Sequence, residues 1–279
     1  MSLFGGKVLS ENTIKLYEAN LKRLNNGALP TSPNFLKNTD AVMEKIEKFS
    51  MNTKKTYYIT IVSYLKSSKD KKVPKKVIKF YTDKMDELNK TFEEHKGEKT
   101  QRQETNWIEW DQVIDHYNKL NPASLAHLVL ALFVLQPPRR SKDYFLMKIV
   151  PEYNETMDKD FNYLDWKNMR FYFSNFKTKS TYGTQMVDVS PELQEVFHNH
   201  FPLKKKFVPF FLLQRDGERL PDNGITRILN TVFGKKISVS MLRNIYLSSK
   251  YGEQQKQMEN DASAMGTSTD MASSVYTKS

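Results

Sequence analysis

The chain has 279 residues, a formal net charge of +11 and no cysteine. The lack of cysteine excludes disulfides, thiolate nucleophiles and cysteine-ligated zinc. The longest apolar run, Leu125–Leu135, is shorter than the roughly 20 residues that cross a membrane. These features predict a soluble, intracellular protein without membrane contact.

The positive charge is concentrated in the first third of the chain. Residues 1–103 carry a net charge of +9, and residues 104–279 carry +2. Such an asymmetry is typical of a positive face directed at a polyanion, of which nucleic acid is the commonest. A solvated lysine-rich surface is the alternative.

Apolar residues recur at helical spacing through the first third. Helices are predicted over 10–24, from a cap at Asp40 to Phe49, over 50–65, and from Pro74 to Phe92. Residues 1–95 are therefore expected to form a small helical domain. Lysines along these helices are the candidate phosphate contacts: Lys54, Lys55, Lys66, Lys75 and Lys76.

Residues 96–104 are polar throughout and are predicted to be a linker to a second domain, 105–279. Helices are expected over 111–120 and 122–135, the second of them buried. Pro137 and Pro138 end it, and an amphipathic segment begins at the two arginines that follow. Arg140 and Asp143 are three residues apart, so the carboxylate could orient the guanidinium. An ordinary structural salt bridge fits equally well.

After this segment the spacing of apolar residues changes from a helical period to the alternation that is typical of strands. Residues 169–176 and 185–189 alternate as the two strands of a hairpin, with Lys177 and Lys179 in its turn. Helices are expected over 191–200, with His198 and His200 at the surface, and over 222–233. A helix over 238–252 carries Arg243, and a short helix over 264–276 ends in Tyr276. The fold class is therefore mainly α with a small β-hairpin or sheet (α+β).

Several enzyme classes lack their usual signatures here. The sequence contains no phosphate-cradling glycine loop, no His-x-x-x-His and no dense carboxylate cluster. A metal-dependent nuclease, an ATPase and a zinc enzyme are therefore poorly supported, and no metal or other cofactor is expected.

The order of these elements resembles that of the tyrosine recombinases, or phage-type integrases, over nearly the whole chain. Arg140–Asp143 is similar to the family's Arg-x-x-Glu/Asp motif, and Lys177, or else Lys179, to its hairpin lysine. Ser240–Arg243 falls on the His-x-x-Arg box. Met265–Ser268 falls on the Leu-Gly-His-Ser turn, and Tyr276 follows Thr267 by the nine residues that the family uses for its nucleophile.

The resemblance implies a mixed α/β catalytic domain and a metal-independent strand transfer. Tyr276 would attack a DNA phosphorus and form a 3′-phosphotyrosyl bond. Arg140 and Arg243 would stabilise the transition state, and Lys177 would protonate the leaving 5′-oxygen. The partner would be double-stranded DNA, bound by a homotetramer that clamps duplexes between the two domains.

Two positions depart from the family pattern. Ser240 and Thr267 stand where the family has histidine, so they could donate hydrogen bonds to phosphate but could not shuttle protons near neutrality. Both could instead be ordinary helix and turn residues. Two further functions therefore remain open: a type IB topoisomerase-like enzyme, and a DNA-binding protein on the same fold with weakened catalysis.

Overall fold

A computed structural model describes residues 3–4, 9–67, 73–201, 210–214 and 216–276, with side chains up to residue 274. The basic tract Lys204–Lys206 lies outside the described residues. The chain divides into two compact units, Met1–Glu98 and Lys99–Ser279. The division falls inside the predicted linker, and part of that linker is helical rather than irregular.

The first unit is helical. Its elements are α1 (Glu11–Leu24), a 3₁₀ turn (Pro33–Lys37), α2 (Thr39–Glu47), α3 (Met51–Ser67) and α4 (Lys75–Glu94). Tyr57, Ile61 and Tyr81 are fully buried in its core. The Tyr81 hydroxyl donates to the carbonyl of Leu36 at 2.9 Å, which satisfies the polar tip of a buried aromatic side chain.

Helix boundaries in this unit follow the capping residues. Ser10 caps α1 by accepting a hydrogen bond from the Thr13 amide, as its position predicts. The predicted cap of α2 is wrong: the Asn38 side chain accepts from the Ala41 amide at 3.2 Å. Asp40 lies in the first turn of α2 instead, where a carboxylate still favours the positive end of the helix dipole.

The second unit combines helices with a small sheet. Its helices are α5 (Gln101–Asn106), α6 (Trp110–Asn118), α7 (Leu125–Val134), α8 (Ser141–Phe145), α9 (Lys179–Tyr182), α10 (Pro191–His200), α11 (Gly224–Phe233), α12 (Val239–Ala264) and α13 (Thr269–Met271), followed by a π-helical turn (Ala272–Tyr276). Its strands are β1 (Met147–Val150), β2 (Asn162–Asp165), β3 (Arg170–Phe173) and β4 (Gln185–Asp188). The α+β class predicted from the sequence is confirmed.

The four strands form one sheet in the order β1-β2-β3-β4. β1 and β2 are parallel, whereas β3 is antiparallel to both β2 and β4. The predicted hairpin is β3 with β4, and its connection contains α9 rather than an irregular turn. The amphipathic segment expected after Pro138 is instead the short helix α8 followed by β1.

The core of the second unit surrounds α7, whose residues Leu128–Phe133 are all buried. The first turns of α12 pack into this core through Val239, Leu242 and Ile245. Arg243 lies between these apolar positions and is half-buried. Because α7 ends where the two prolines begin, the arginines that follow are held at the rim of the core.

α12 is longer than expected. The sequence predicts separate helices over 238–252 and 264–276, but one helix runs from Val239 to Ala264. The chain then turns at Gly266, whose φ of +69° is accessible to glycine at little cost. In the described part of the chain, no helix is both long enough and apolar enough to cross a membrane.

Candidate functional site

One cavity of about 440 Å³ opens in the second unit. Three segments line it: residues from 136–143, the β3–β4 hairpin and α12. Arg243 is the contribution of α12. The polar and charged residues of the other two segments are Gln136, Arg139, Arg140, Asp143, Thr178, Tyr182 and Gln185. The cavity therefore brings the two arginines predicted to be catalytic, far apart in the sequence, to one place.

Arg139 connects the segments that line the cavity. Its Nε donates to Asp143 Oδ2 at 2.8 Å, and its terminal nitrogen donates to Gln185 Oε1 at 3.0 Å. Its guanidinium carbon lies 3.7 Å from the ring centroid of Phe173, a distance typical of a cation–π contact. One side chain thus joins α8 to both strands of the hairpin.

The predicted contact between Asp143 and Arg140 is therefore corrected. Asp143 pairs with Arg139, four residues before it, and Arg140 is the N-cap residue of α8. Among the described residues, the Arg140 guanidinium has no hydrogen-bond or ion-pair partner. It remains free to bind an anion that enters the cavity.

Asp143 is the only carboxyl group among the described residues that line the cavity. The residue is 2% exposed, and its Oδ1 has no hydrogen-bond partner in the described structure. Burial raises the pKa of Asp143, while the charge and hydrogen bond of Arg139 act in the opposite direction. Three guanidiniums thus surround one carboxyl group, an arrangement that leaves an excess of positive charge.

Arg243 carries part of this excess. Its Nε donates to the carbonyl of Pro138 at 3.1 Å, which fixes the guanidinium at the cavity wall. Burial lowers the pKa of Arg243, and the nearby charge of Arg140 acts in the same direction. A bound anion would relieve this repulsion, because opposite charge favours the ionised form.

Asn162 at the start of β2 holds the hairpin against α8. The side chain is fully buried and donates to the carbonyls of Asp143 at 2.7 Å and Asn175 at 3.0 Å. Its Oδ1 accepts from the amides of Ser174 and Asn175, each at 2.8 Å. Since both amide protons and the oxygen are used, this residue fixes the position of the segment that leads to Lys177.

The two candidate lysines lie near the cavity but do not line it. Both Lys177 and Lys179 are exposed. Lys179 Nζ lies 3.5 Å from the carbonyl of Lys159, on the outer side of the hairpin. The hairpin residues that do reach the cavity are Thr178, which separates the two lysines, and Tyr182.

The remaining candidates lie farther away. Ser240 is exposed in the first turn of α12 and does not line the cavity. The amide of Thr267 donates to the carbonyl of Ala262 at 2.9 Å, at the far end of the same helix. Tyr276 ends the π-helical turn, and its side chain lies outside the described part of the structure.

The candidate DNA-binding lysines of the first unit differ in their surroundings. Lys54 pairs with Glu47, and Lys55 Nζ lies 4.7 Å from the ring centroid of Phe92. Lys66 at the end of α3, and Lys75 and Lys76 at the start of α4, are exposed. Because α3 and α4 are consecutive and in contact, these three amines belong to the same end of the helix pair.

Comparison with family models, curated proteins and solved structures finds no match to this chain. Its function must therefore be argued from the cavity itself. The described residues contain no group of three histidine or acidic residues placed to hold a metal ion. Apart from the Asp143 carboxyl group, which pairs with Arg139, the polar groups that line the cavity are guanidiniums, hydroxyls and amides, which suit an oxyanion.

Arg139, Gln185, Thr178 and Tyr182 were not among the sequence candidates. The spacing of four between Arg139 and Asp143 is a signal that could have identified the pair. The other three belong to the hairpin, and only the folded connection brings them to the cavity. Tyr182 is the last residue of α9 and lines the cavity, although it is 64% exposed.

Proposed function

We propose that this chain is a site-specific DNA recombinase or integrase that cleaves and rejoins DNA strands through a covalent 3′-phosphotyrosyl intermediate. The observation that carries the proposal is the meeting of Arg140 and Arg243 in one cavity beside the lysine-bearing hairpin. The sequence resembles those of the tyrosine recombinases, and this resemblance implies that both arginines stabilise the transition state of strand transfer. The nucleophile in this proposal is Tyr276.

The cavity suits a phosphodiester in its transition state. When a phenolate attacks phosphorus, negative charge accumulates on the two non-bridging oxygens. Guanidiniums remain ionised at any working pH and offer paired donors to such oxygens. Arg140, which has no partner of its own in the described structure, and Arg243, which is half-buried beside it, would bind this charge.

The reaction conserves the phosphodiester energy. The Tyr276 phenol loses its proton to solvent, and its oxygen bonds to phosphorus as the bond to the 5′-oxygen breaks. Lys177 or Lys179 supplies the proton that makes the leaving group a 5′-hydroxyl, and the lysine is then reprotonated from solvent. A 5′-hydroxyl from another strand can reverse the step and release the tyrosine. Neither an oxidant nor a nucleotide cofactor is needed for this cycle.

The test is covalent capture. The protein is incubated, in a buffer with a metal chelator, with end-labelled duplexes that carry one nick and randomised flanking sequence. After denaturation, a labelled protein–DNA adduct is expected with the unaltered chain and not with Tyr276→Phe. Arg140→Ala and Arg243→Ala should each form adduct about 10²–10³-fold more slowly. Lys142→Ala is the matched control, because Lys142 is exposed and does not line the cavity.

Tyr182 provides the decisive comparison, because its side chain already lines the cavity. Adduct that survives Tyr276→Phe and disappears with Tyr182→Phe would assign the nucleophile to the hairpin. DNA binding without adduct in any variant would favour the second candidate, a DNA-binding protein with weakened catalysis. That candidate draws support from the position of Ser240, outside the cavity.

A further inference from the structure

The cavity has an apolar wall that a phosphate group alone does not need. Besides its arginines, amides and hydroxyls, it is lined by the apolar residues Pro137, Pro138, Phe176 and Val187. The oxygens of a phosphodiester lose their hydration beside such residues and gain no hydrogen bond in return. The volume of about 440 Å³ lies within the range of roughly 300–1,000 Å³ that encloses drug-sized ligands, and a nucleotide is such a ligand. The cavity therefore has the room and the surface for a nucleoside next to its phosphate.

Tyr182 lies at the mouth of this cavity, since it lines the cavity and is 64% exposed. Among the described residues, its ring makes no aromatic or cation–π contact, and its hydroxyl forms no hydrogen bond. By contrast, the buried ring of Phe176 on the same wall has its centroid 5.4 Å from the guanidinium carbon of Arg139. An aromatic side chain offers a large apolar face at little cost in conformational entropy. The Tyr182 ring is therefore available to a flat group of a ligand.

The backbone that carries this ring is anchored. Gly183 follows Tyr182 with a φ of +65° and a ψ of −160°, a conformation that only glycine adopts at little cost. The Gly183 amide donates to the carbonyl of Lys179 at 2.8 Å. Two residues farther along the chain, the Gln185 side chain accepts a hydrogen bond from Arg139. The ring therefore projects from a turn whose position relative to Arg139 is fixed by hydrogen bonds.

We propose that Tyr182 stacks on an unpaired nucleobase next to the phosphate that Arg140 and Arg243 bind. The proposal rests on the proposed function, since it takes a DNA phosphate as the occupant of the arginine part of the cavity. Both faces of a base inside a duplex are covered by the neighbouring base pairs, so a nucleotide meets the ring only after it leaves the stack. Stacking on an aromatic side chain then offsets part of the cost of leaving. The site consequently favours DNA in which the base pair beside the bound phosphate is weak.

Hydrogen bonding is the competing role for Tyr182. Its hydroxyl would then donate to a phosphate oxygen, and the apolar wall would have no ligand. Tyr182→Phe separates the two roles because it removes the hydroxyl and keeps the ring, whereas Tyr182→Ala removes both. Met186→Ala is the matched control: Met186 lies in β4 of the same hairpin, is 63% exposed and does not line the cavity. Since both residues are exposed, these substitutions should not change the thermal unfolding of the chain.

The test uses three labelled duplexes of one sequence that differ only at their central position. The first has a thymine paired with adenine, the second has a thymine opposite thymine, and the third has an abasic site opposite thymine. A mismatched base leaves the stack at a lower cost than a paired one, and the abasic site offers nothing to stack. Fluorescence anisotropy measures the dissociation constant of each duplex with the unaltered chain and with the three variants, so the measurement needs no covalent step.

The unaltered chain should bind the mismatched duplex more tightly than the paired one. Tyr182→Ala should weaken binding of the mismatched duplex about 5–150-fold, the range expected for the loss of one base–aromatic stack. The same variant should bind the abasic duplex as the unaltered chain does. Tyr182→Phe and Met186→Ala should bind all three duplexes normally. With a fluorescent adenine analogue at the mismatched position, binding should quench the fluorescence unless Tyr182 is replaced by alanine.

The proposal is overturned if Tyr182→Ala weakens binding of the mismatched and abasic duplexes equally, or if Tyr182→Phe or Met186→Ala causes the same loss as Tyr182→Ala. It is also overturned if the unaltered chain does not prefer the mismatched duplex to the paired one. The proposed function fails on a different observation, the absence of a covalent adduct with the unaltered chain. Adduct without the Tyr182 effect supports strand transfer and overturns base stacking, whereas the Tyr182 effect without adduct supports base stacking and overturns strand transfer.

Discussion

Arg139 and Asp143 show how one ion pair can connect the segments that form a cavity wall. Asp143 uses Oδ2 for Arg139, and its Oδ1 has no partner among the described residues. The same guanidinium binds Gln185 and stacks on Phe173. We therefore regard Arg139 as a positioning residue that couples the hairpin to the cavity wall.

Arg139→Lys should lower the free energy of unfolding by about 1–3 kcal/mol, because a lysine cannot keep both hydrogen bonds and leaves buried polar groups unpaired. Chemical denaturation measures the loss. Arg170→Lys is the control: its pair with Asp188 is largely exposed, and exposed pairs contribute about 0–1 kcal/mol. A similar loss of unfolding free energy from both substitutions would contradict the role of Arg139 in coupling the hairpin to the cavity wall.

The proton donor can be identified through the leaving group. A 5′-sulfur in place of the 5′-oxygen departs as a thiolate, whose conjugate acid has a pKa of about 8.5, so it needs no proton. If a lysine is the proton donor of the proposed reaction, its replacement by alanine should slow cleavage of ordinary DNA about 10²–10⁴-fold. The sulfur substrate should restore most of the lost rate in the same variant. Single-turnover rates for Lys177→Ala and Lys179→Ala assign the role. Equal slowing on both substrates would mean that the lysine binds DNA instead.

At the scale of elements, helix patterns were predicted more reliably than strands. Apolar spacing and the cap at Ser10 gave α1 to within one residue. The hairpin β3–β4 was also predicted, because residues 169–176 and 185–189 have a strand-like pattern on either side of a polar turn. β1 and β2 were not predicted. Every residue of β2 is buried, so this strand shows no alternation of polar and apolar residues. β1 begins two residues after α8 ends, and the two together read as one amphipathic segment.

The candidate site was predictable only in part from the sequence. The resemblance of the motifs to a family suggested that Arg140 and Arg243 converge, and neither composition nor periodicity contains that information. The choice of Arg140 over Arg139 as the partner of Asp143 was wrong. Arg139 precedes Arg140, the N-cap residue of α8, and pairs with Asp143 four residues later. The sequence offered that spacing as readily as a spacing of three.

Two histidines meet where α7 packs against α10. The rings of His127 and His200 are stacked with centroids 6.0 Å apart, and His127 Nδ1 and His200 Nε2 have no hydrogen-bond partner in the described structure. His200 was expected at the surface but is half-buried. Burial lowers the pKa of both residues, and for His127 the charge of His200 acts in the same direction.

This contact predicts a loss of stability in acid. With lowered pKa values, the folded state binds fewer protons than the unfolded state. Stability is therefore complete above the ordinary histidine pKa of about 6.5 and falls as the pH drops below it. Denaturation between pH 7.5 and 5 measures this slope, which should flatten in His200→Phe. His198→Phe, on an exposed position of the same helix, should keep it, and an unchanged slope in His200→Phe would exclude the histidine pair as its source.

At the scale of the whole molecule, the excess charge lies mainly in the first unit, while the arginine cavity belongs to the second. Surface lysines that bind phosphate contribute affinity without sequence information. The five candidate DNA-binding lysines fall into two groups in the described structure. The engaged lysines contact another side chain, and the free lysines are exposed. Lys54 is held by Glu47, whereas Lys66, Lys75 and Lys76 are exposed together.

This division predicts the salt dependence of DNA binding. Each lost phosphate contact reduces the slope of log affinity against log salt by about 0.9, so replacing Lys66, Lys75 and Lys76 by alanine should reduce it by roughly 2–3. Lys54→Ala should leave the slope unchanged. Titrations of duplex DNA at several salt concentrations provide the measurement. If Lys54→Ala reduced the slope as much as the triple variant does, the division of these lysines into engaged and free groups would be wrong.

The uneven burial of α12 has a consequence for its local stability. Its first turns are held in the core by Val239, Leu242 and Ile245, whereas none of residues 247–261 is buried. Backbone amides in the second half of the helix should therefore exchange their protons with solvent much faster than those of the first turns.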